Sequence, residues 1–530
     1  GTTSFNGTEV TKANSIIATG GTTTVTWLNA DLETASDSFM QISGDAIVNV
    51  SGILIAKSGE IDINSSETDT DAFTVGKNGV LALTFEENPT TSLLNVTTGS
   101  VTLNEGSSIA AYNLDKLGPG TYYSYLANVA STDADNVNIT DNSGFYYGND
   151  NLFFQFSKVE DYGYKLDVKG FSSYALTPNQ KEVGQYLDAA RTAGQIGDSL
   201  NSLLLNTIMG NYTNVNDVRQ ALTQLAAPQH ANGLMLAMDT PWTHPFDQMV
   251  FSSHRNRAVP AYGANSSYFR GQMPCDDCAT DTCGTDCGFM GSVLGASSET
   301  APHSAWASFY HTSFTGTDDG NSPEYGISQT GGAFGYDIVN SQDVVAGAMF
   351  GYSQPFLHSG SHRIEATSFQ LGLYGGRKFQ SGTELKLYAG LGVQQYISKR
   401  SVNLPGYSDY FRSDYDGRSF SFCAQLSHEY MINCNSILRP LIQFDMQQVW
   451  QDGATETGGA AALVYDDADW NRSFIRVGAE SELNGEFLQF TGRALYGLQL
   501  SGDTAPQARA RFVDVNNAAS WMTIQGVDLG

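Results

Sequence analysis

The stretch ELKLYAGLGVQQYI, residues 384–397, decides the fold of the second half of this chain. Its alternate positions form an apolar set: Leu385, Leu387, Ala389, Leu391, Val393 and Ile397. The intervening positions are polar, aromatic or small: Glu384, Lys386, Tyr388, Gly390, Gly392 and Gln394. A period of two residues predicts a β-strand. An apolar face opposite a polar one suits a strand with lipid on one side and water on the other.

The same alternation recurs along the rest of the C-terminal half. It is found at the apolar positions Phe369, Leu371 and Leu373 and again at Ile442, Phe444 and Met446. Ten candidate strands begin near Ser304, Gly326, Asp343, Ala366, Thr383, Gly417, Ser436, Asn471, Glu486 and Gln507. The sequence therefore predicts an all-β fold with an antiparallel transmembrane barrel over residues 302–530.

The connections between these strands alternate in length. Long polar loops are predicted at 314–326, 354–363, 398–418 and 450–472, and short turns at 339–343, 379–384, 431–436 and 482–487. Outer-membrane barrels sort their connections in this way, with short periplasmic turns and longer external loops. The chain stops at GVDLG, residues 526–530, where lipid would not tolerate an unpaired sheet edge. We therefore expect the natural protein to continue for at least two more strands, since such barrels have closed walls.

The N-terminal region, residues 1–175, is rich in Thr, Ser, Asn and Gly and has a different strand pattern. Short alternating runs occur in AIVNVSGILIA (46–56), VLALTF (80–85) and VTLNEGSSIAAY (101–112). Similar turns at Gly59, Gly79 and Gly106 are spaced 20 and 27 residues apart. This irregular repeat predicts the rungs of a β-solenoid. A β-sandwich with glycine turns is the alternative.

A helical linker is predicted over residues 176–258. Thr177 is placed to cap a helix, Pro178 suits its first position, and Gln180 completes a capping box. Val218, Ala221, Leu222 and Leu225 follow at helical spacing, and the segment FDQMVFSSHRNRA (246–258) is a second candidate helix.

Composition limits the function classes. Charged residues are only 15% of the chain, whereas there are 55 Gly, 26 Tyr and 28 Phe, which is unusual for a soluble enzyme. The net charge of −28 disfavours nucleic acid as a partner. No apolar run of about eighteen residues is present, which excludes a spanning α-helix. The chain begins at Gly1 without a charged and apolar leader, so we expect a signal peptide to have been removed or left out.

The order of these parts resembles the autotransporter, or type V secretion, family. The resemblance is carried by LTPNQKEVGQYLDA (176–189), RQALTQLAAPQHANGL (219–234), SAWASFYH (304–311), GGAFGYDI (331–338) and FIRVGAES (474–481). It implies a Gram-negative outer-membrane barrel of twelve strands, of which about ten are present here. It also implies that segment 246–258 is a helix threaded through the pore, and that 1–175 is the C-terminal stem of a passenger carried to the cell surface. Residues 121–170 would then be the autochaperone-like end of the passenger.

The resemblance also implies partners: outer-membrane lipid, the barrel assembly machinery and periplasmic chaperones. The passenger is expected to be adhesin-like or structural, and its host or surface ligand is unknown. One alternative is an enzymatic passenger, an esterase or a protease, encoded upstream of Gly1. Another is a plugged, porin-like channel. The chain departs from the family where the terminal aromatic residue read by the insertion machinery is absent.

No catalytic or cofactor site is predicted. Gly197, Asp198, Ser199 and Leu200 spell the GDSL sequence of an esterase family, but they lie in the predicted linker and no matching Asp-x-x-His follows them. Scattered histidines and Asp-rich loops lack a known metal-ligand spacing. We therefore predict no bound metal and no cofactor.

Four cysteines lie in a Gly/Ser-rich insertion at residues 259–301: Cys275, Cys278, Cys283 and Cys287. Their paired spacing suits two disulfides in an oxidising compartment or one tetrahedral zinc, and disulfides are favoured. Cys423 and Cys434 are too far apart along an extended strand to pair.

Charged and polar residues on the non-apolar faces of the strands are candidates for the barrel interior, where charges can pair or contact the threaded helix. The main candidates are Glu384, Lys386, Tyr388, Arg439, Asp445, Arg476, Glu480 and Arg493. Arg377 and Arg472 are two further ones.

Overall fold

The structure, a computed structural model, describes part of the chain in detail. Only backbone strands are described between residues 2 and 65, and the described side chains begin at Phe73. Description continues to residue 237, resumes at Phe246 and in the backbone of two short strands at 268–271 and 289–292, and covers residues 304–528. The shorter gaps are 76–79, 90–91, 112, 130–136, 146–150, 161–162, 342, 434–435, 485–488 and 517–519.

The chain forms two compact units. The first comprises Gly1–Ala175 with Gly184–Ala221, and the second comprises Leu176–Val183 with Leu222–Gly530. The helical segment after residue 175 is therefore shared between the two units.

The strands of the first unit are short. In chain order they are β1 Thr2–Asn6, β2 Ser15–Thr19, β3 Thr23–Leu28, β4 Leu32–Thr34, β5 Phe39–Gly44, β6 Ala46–Val50, β7 Ile53–Ala56, β8 Glu60–Ser65, β9 Asp71–Val75, β10 Val80–Leu83, β11 Ser92–Leu103, β12 Ser108–Ala111, β13 Gly120–Val129, β14 Val137–Asp141, β15 Gly144–Phe145, β16 Phe154–Val159 and β17 Gly163–Val168.

Most of these strands pair in parallel, in three series. One series is β1, β3, β6, β9, the end of β11 and β14; a second is β2, β5, β8, the start of β11 and β13; the third is β4, β7, β10, β12 and β15. Apolar residues pair with apolar residues, as in Leu81 with Ile109 and Phe73 with Val101. All four of these side chains are fully buried. The core of the first unit thus contains apolar side chains stacked on apolar side chains of the neighbouring parallel strand.

The parallel series gives way to antiparallel pairing near residue 120. Strand β17 pairs antiparallel with both β13 and β16. The Asp141 carboxylate, at the end of β14, accepts hydrogen bonds from Tyr164 Oη at 2.8 Å and Ser143 Oγ at 2.6 Å. Burial alone would raise the pKa of Asp141, but these bonds and one from Lys158 hold it below its ordinary value. The last antiparallel strands are therefore tied to the parallel ones by a half-buried carboxylate.

Helices follow the last of these strands. They are α1 Pro178–Thr192, α2 Asp198–Leu203, a π-helical turn Leu204–Met209, α3 Val215–Ala226, α4 Gln229–Asn232 and a 3₁₀ turn Gly233–Ala237. In the first unit Asp188 of α1 accepts the backbone N–H of Phe171 at 2.8 Å and that of Ser172 at 3.0 Å. Among the described residues, no helix has the length and apolar content needed to cross a bilayer.

The second unit is dominated by long antiparallel strands. Its strands are β18 Tyr268–Gly271, β19 Phe289–Ser292, β20 Ser304–Gly316, β21 Tyr325–Asn340, β22 Val344–Ser359, β23 His362–Lys378, β24 Thr383–Leu404, β25 Tyr407–His428, β26 Tyr430–Asn433, β27 Ser436–Gln451, β28 Ala454–Thr455, β29 Leu463–Tyr465, β30 Ala468–Asn484, β31 Gln489–Ser501, β32 Gln507–Phe512 and β33 Met522–Gln525. One sheet runs β18-β19-β20-β21-β22-β23-β24-β25-β27-β30-β31, with antiparallel neighbours throughout. The predicted antiparallel sheet after a helical segment is confirmed.

Burial in this long sheet is inverted relative to an ordinary protein. In β24 the apolar positions Leu387, Leu391 and Val393 are exposed, while Tyr388 and Gln394 are buried. Leu371, the pairing partner of Leu391, is 66% exposed, as are Leu373 and Leu391 themselves. The face that the sequence assigns to lipid is therefore the outer face of the curled sheet.

Two of the predicted long loops are wrong. Residues 354–363 and 398–418 are almost entirely strand, because β22 and β23 continue to a turn at Gly360 and Ser361, and β24 and β25 continue to a turn at Pro405 and Gly406. Gly360 and Gly406 have positive φ angles of 46° and 84°, which these two-residue turns require. Alternation continues through both segments, so the polarity of their outer residues was mistaken for loop composition.

The tenth predicted wall strand is also wrong. Strand β32, Gln507–Phe512, pairs with β29 and β33 rather than with β31. Strands β28, β29, β32 and β33 form a separate four-stranded sheet. The segments 450–472 and 502–528 therefore contribute to a small folded cap rather than to one open loop and one wall strand.

The long strands define two ends of the sheet. The turn end is where Asn340 meets Val344, and Lys378 meets Thr383. The loop end is the opposite one, where Gly316 is joined to Tyr325 and where the separate four-stranded sheet is inserted after β27.

Candidate functional site

The buried face of the curled sheet carries a network of charged and amide side chains. Asp445 on β27 accepts from Arg476 on β30 and from Gln443 Nε2 at 3.0 Å. Arg493 on β31 donates to Gln425 Oε1 at 2.9 Å and to Gln443 Oε1. These residues belong to four neighbouring strands. Pairing offsets part of the desolvation cost of placing the charges inside.

A second ionic cluster lies at the turn end of the same face. Arg439 contacts Glu480 at 3.1 Å and Glu482 at 2.7 Å. Lys378 contacts Glu429 at 3.1 Å and Glu384 at 3.5 Å. The interior is therefore polar at this end, as expected of a water-facing barrel lumen.

Phe246 occupies the space that the sheet encloses. It is 3% exposed and packs in one cluster with residues from six strands, β20 to β25: Trp306, Ala333, Val345, Met349, Tyr374, Tyr388 and Cys423. Its backbone carbonyl accepts a hydrogen bond from Lys386 Nζ at 2.8 Å. Trp306 Nε1 donates to Tyr374 Oη at 2.8 Å, and Tyr374 donates to Asp337 at 2.6 Å. Phe246, which lies between the helices and β20 in the chain, is therefore in the interior of the sheet.

The helical segment meets the loop end of the sheet through side-chain amides. Asn179 Oδ1 accepts the Gln525 N–H at 2.9 Å, and Asn179 Nδ2 donates to the Gln525 carbonyl at 2.8 Å. Gln224 pairs in the same two-sided way with Asn403, with distances of 2.7 and 3.0 Å. Asn232 accepts the Val527 N–H at 2.8 Å. Asn179 and Gln224 thus each take the place of a neighbouring strand residue for one strand position.

His230 of α4 forms the centre of an aromatic and ionic cluster at the loop end. Its ring stacks on Tyr465 with a centroid distance of 3.5 Å and an interplanar angle of 10°. Gln451 Nε2 lies 2.8 Å from His230 Nε2, so the ring nitrogen accepts and is unprotonated. Burial and then the nearby Arg400 lower the pKa of His230 to about 3.

Arg400 links this cluster to the separate four-stranded sheet and to the helices. Its guanidinium forms a buried two-point contact with Glu456, with Nε to Oε1 at 2.9 Å. It also donates to the Ala461 carbonyl at 2.8 Å and to the Gln224 carbonyl at 3.2 Å. One side chain of the long sheet therefore fixes the cap and the helical segment together within the second unit.

The outer face changes character along the strands. On β24 the outward residues are apolar from Leu385 to Val393 and become polar from Lys399 onward. On β25 the change falls between Phe420 and Arg418. The apolar part of β24 is about 26 Å of extended strand, close to the roughly 25 Å apolar band of outer-membrane barrels before tilt is allowed for. The sheet thus carries a membrane-sized apolar belt, with a charged outer face beyond it at the loop end.

The comparison with protein families agrees with this geometry. The model for the autotransporter beta-domain matches residues 305–530. Residues 305–530 are an autotransporter β-domain. As such, the β-domain is a bacterial outer-membrane barrel of the type V secretion class, which confirms the predicted localisation. The β-domain itself is a translocator and carries no catalytic function.

Other comparisons add little to the β-domain assignment. No curated protein matches the sequence. The translocator domain of autotransporter NalP from Neisseria meningitidis is 13% identical, with a TM-score of 0.30, over 41% of this chain and 69% of that one. The RagAB peptide importer in its 'closed-closed' state is 11% identical, with a TM-score of 0.23, over 60% of this chain and 43% of that one.

The predicted interior residues fall on the buried side of the β-domain sheet, with one exception. Those on the inward-facing positions are Glu384, Lys386, Tyr388, Arg439, Asp445, Arg472, Arg476, Glu480 and Arg493. Arg377 is the exception: it lies on the exposed face, with its guanidinium 5.2 Å from the Phe379 ring centroid. Its odd position in β23 matches that of the lipid-facing Leu371 and Leu373, so the expectation for Arg377 was wrong.

The structure describes the predicted helix-capping residues but only one of the cysteines singled out in the sequence. The Gln180 N–H donates to Thr177 Oγ1 at 3.3 Å, and Gln180 Oε1 accepts the Thr177 N–H at 3.3 Å, while Pro178 is the first residue of α1. Cys423 is a buried free thiol. The other predicted positions lie outside the described residues: Cys275, Cys278, Cys283, Cys287, Cys434 and all of 246–258 except Phe246. Within the described ranges, no group of three or more metal-binding side chains is present.

Sequence reasoning missed the loop-end residues. Asn179, Gln224 and Asn232 were not singled out, and neither were His230 and Glu456. A partial signal was available for Asn179, Gln224, His230 and Asn232, because they lie within LTPNQ, TQLA and QHAN, segments that also carried the family resemblance, whereas Glu456 lies outside them. Their pairing partners lie far away in the chain and depend on the sheet register.

Proposed function

We propose that this chain exports its own N-terminal region across the outer membrane and displays it at the cell surface. The observation that carries the proposal is Phe246, whose carbonyl is held by Lys386 within six strands of the β-domain. Because the helices meet the loop end and Phe246 lies within the sheet, the linker runs into the barrel from the loop end. A chain held in this way is what remains after its N-terminal part has passed outward.

The orientation in the membrane follows from the two ends. The turn end, with its short connections, faces the periplasm, and the loop end faces outward. The charged outer face of β23, β24 and β25 supports this, since Arg363, Lys399 and Arg412 lie beyond the apolar belt. We propose a closed barrel of twelve strands, as the family implies.

The first unit is proposed to be a β-solenoid stem of the passenger, corresponding to residues 1–175. Parallel neighbours cannot be joined by a tight turn and need a long crossover. Here the crossovers after β2 carry strands of the other two series, which favours a coil of stacked rungs over a sandwich of antiparallel hairpins. The antiparallel end, β13 with β17 and β16, is proposed as the autochaperone-like zone.

This architecture gives a physical account of export without a catalytic group. A passenger rich in short polar strands crosses unfolded, and each new rung outside then buries the edge of the one before it. The free energy released by stacking, for example of Phe73 on Val101, opposes return of the chain.

We propose that the passenger is structural or adhesin-like, with a surface ligand still to be identified. Ser199 of the GDSL sequence is an exposed residue near the start of helix α2, not part of a strand-to-helix elbow, which argues against an esterase there. A catalytic passenger upstream remains the alternative. A porin-like function is disfavoured because Phe246 occupies the interior.

The remaining partners and bonds are proposed from the family. They are outer-membrane lipid, the barrel assembly machinery and periplasmic chaperones, with no nucleic acid and no cofactor. We propose two disulfides among Cys275, Cys278, Cys283 and Cys287, with zinc as the alternative.

Surface labelling of intact cells tests the export. Cells producing the full-length protein are treated with a membrane-impermeant amine reagent. The peptides that contain the exposed Lys116 and Lys169 are then analysed for the label. We expect both lysines to react in whole cells, and the β-domain to show heat-modifiable gel mobility. A periplasmic marker protein must stay unlabelled. Labelling of Lys116 and Lys169 only after lysis would overturn the proposal.

A further inference from the structure

We propose that Asn179, Gln224 and Asn232 form a stop that sets the position at which the linker comes to rest in the β-domain. The stop works by pairing side-chain amides of the helical segment with the backbone of the loop-end segments. This inference rests on the proposed export, and it adds the element that ends it. It assigns the three amides a positioning role rather than a catalytic one.

Asn179 provides the first contact. It is 1% exposed, and its amide satisfies both the N–H and the carbonyl of Gln525 on β33. Its own N–H donates to Asn321 Oδ1 at 2.8 Å in the connection between β20 and β21. One residue of α1 is thereby joined to two separate loop-end segments.

Gln224 provides the second contact, which is made with Asn403 near the end of β24. Its Oε1 accepts the Asn403 N–H and its Nε2 donates to the Asn403 carbonyl. Arg400, three residues earlier on β24, donates to the Gln224 carbonyl and also holds Glu456 of the cap. The side chain and the backbone of Gln224 are thus both engaged by the tip of one hairpin.

Asn232 provides the third contact and is completely buried. Its Oδ1 accepts the Val527 N–H, while its Nδ2 donates to Gln229 Oε1 at 2.8 Å and to Ser322 Oγ at 3.3 Å. Gln229 in turn donates to the Pro323 carbonyl at 3.1 Å. The same two loop-end segments that hold Asn179 therefore also hold α4.

The three contacts specify one register of the linker. A shift of four residues, about one helical turn, that places residue 220 opposite Asn403 would bring Ala175, Gln220 and Pro228 to the places of Asn179, Gln224 and Asn232. Ala175 and Pro228 offer no side-chain hydrogen bond, so the backbone groups of Gln525 and Val527 would lose their partners, and only Asn403 would keep an amide partner, Gln220. Loss of a partner is costly where the group is shielded from water.

The stop requires a folded β-domain. Its partners on the loop-end side are β24, β33 and the connection at Asn321, which come from separate parts of the chain. They converge on the linker only when the β-domain is folded. A chain segment without amides at this spacing cannot pair with these backbone groups, so it continues through the barrel. The linker has the three amides and is held.

Disulfide trapping measures the register directly. In the full-length protein, Q224C/N403C places two thiols at a contact that exists only in the proposed register, and Q220C/N403C reports a shift of one turn. Both pairs are introduced into the protein in cells, and the cross-linked fraction is measured after mild oxidation. We expect the 224–403 pair to cross-link at least about tenfold more than the 220–403 pair, since a tenfold preference needs only about one or two hydrogen bonds.

The same pairs are then combined with N179A and N232A. We expect the 224–403 cross-link to fall and the 220–403 cross-link to rise, while N179A/N232A alone keeps the heat-modifiable mobility of the β-domain. The matched control is N206A/N211A, which removes two exposed amides of the same linker that contact only their own helical turn. It should leave both cross-links unchanged.

The outcomes separate the stop from export itself. Labelled passenger at the surface together with unchanged cross-links in N179A/N232A would overturn the stop and leave export standing. Loss of surface passenger from N179A/N232A with a folded β-domain would also overturn it, because the amides would then be needed for passage. Absence of surface passenger from the unmodified protein would refute the proposed function instead.

Discussion

The two units of this protein use the same strand pattern and bury opposite faces. In the first unit the apolar pair Phe73 and Val101 is fully buried. In the β-domain the apolar pair Leu371 and Leu391 is 66% exposed at both positions. The first unit has water outside and an apolar core, whereas the β-domain has lipid outside and a hydrogen-bonded polar interior.

The difference shows what alternation does and does not specify. A period of two fixes that a segment is a strand and which residues share a face. It does not fix which face is turned inward, because that depends on the solvent on the other side. Four changes test this contrast, beginning with the largest expected effect.

Removing an apolar side chain should be far more damaging in the first unit than in the β-domain. We expect Phe73→Ala to cost about 3–5 kcal/mol of unfolding free energy, because it leaves a cavity in a close-packed core. Leu371→Ala should cost about 1–2 kcal/mol, because lipid fills the space and only transfer energy is lost. Urea titration of the full chain in lipid vesicles, followed by protease resistance of residues 1–175 and gel mobility of the β-domain, measures both. Equal costs would contradict the inverted burial.

Adding charge to the outer face should sharpen the boundary of the apolar belt. Leu391→Arg is expected to destabilise the β-domain by about 2–4 kcal/mol, since the charge lies within the hydrocarbon layer. Gln395→Arg, two positions beyond Val393, should cost about 0–1 kcal/mol, as expected near the membrane interface. The two variants are compared by heat-modifiable mobility in lipid vesicles. A similar loss in both would place the belt elsewhere on β24.

Acid should destabilise the polar loop end. The folded-state pKa of His230 is about 3, below the ordinary value of 6.5, so the unfolded chain binds a proton more readily between these values. Stability is therefore fully present above pH 6.5 and falls as the pH is lowered from 6.5 toward 3. His230→Gln should reduce this slope in unfolding experiments performed across that range. An unchanged slope would show that His230 does not govern it.

The smallest effect concerns the interior contact at Phe246. Lys386→Met keeps the length of the side chain but removes the hydrogen bond to the Phe246 carbonyl. We expect a loss of about 1 kcal/mol and more frequent open events in planar-bilayer conductance recordings. Lys399→Met, on the outer face beyond the apolar belt, is the matched control. Conductance that rises equally in both variants would argue against Phe246 as part of the plug.

Much of the β-domain could be predicted from the sequence, because its information is local. In strands such as β24 and β27 the alternation of polar and apolar residues assigns each residue to one of the two faces. The capping residues Thr177, Pro178 and Gln180 likewise lie close together in the sequence, at the start of α1. The faces of Glu384, Asp445 and Arg476 followed from the same alternation.

The errors arose where local composition and distant pairing disagree. Residues 398–418 look like a polar loop, yet they continue β24 and β25, because beyond the membrane the outer face of a strand is polar and its inner face carries polar residues such as Arg400 beside buried apolar ones such as Val402 and Phe411. Strand β32 looked like a wall strand, but its partner is β29, more than forty residues earlier. The amide contacts of Asn179 and Asn232 join residues about 300 positions apart or more, which no local pattern encodes.

The continuous pairing of β24 and β25 has a consequence for what meets this protein from outside. Each strand has 22 residues, about 70 Å of extended chain, whereas the apolar belt accounts for roughly a third of that length. The remaining paired residues lie beyond the apolar belt and end at a turn at Pro405 and Gly406. With the loop end outward, as proposed, an antibody or a phage approaching the cell would meet this part of β24 and β25, together with the cap that pairs with β25 at Arg412 and Thr457, before it reached the lipid.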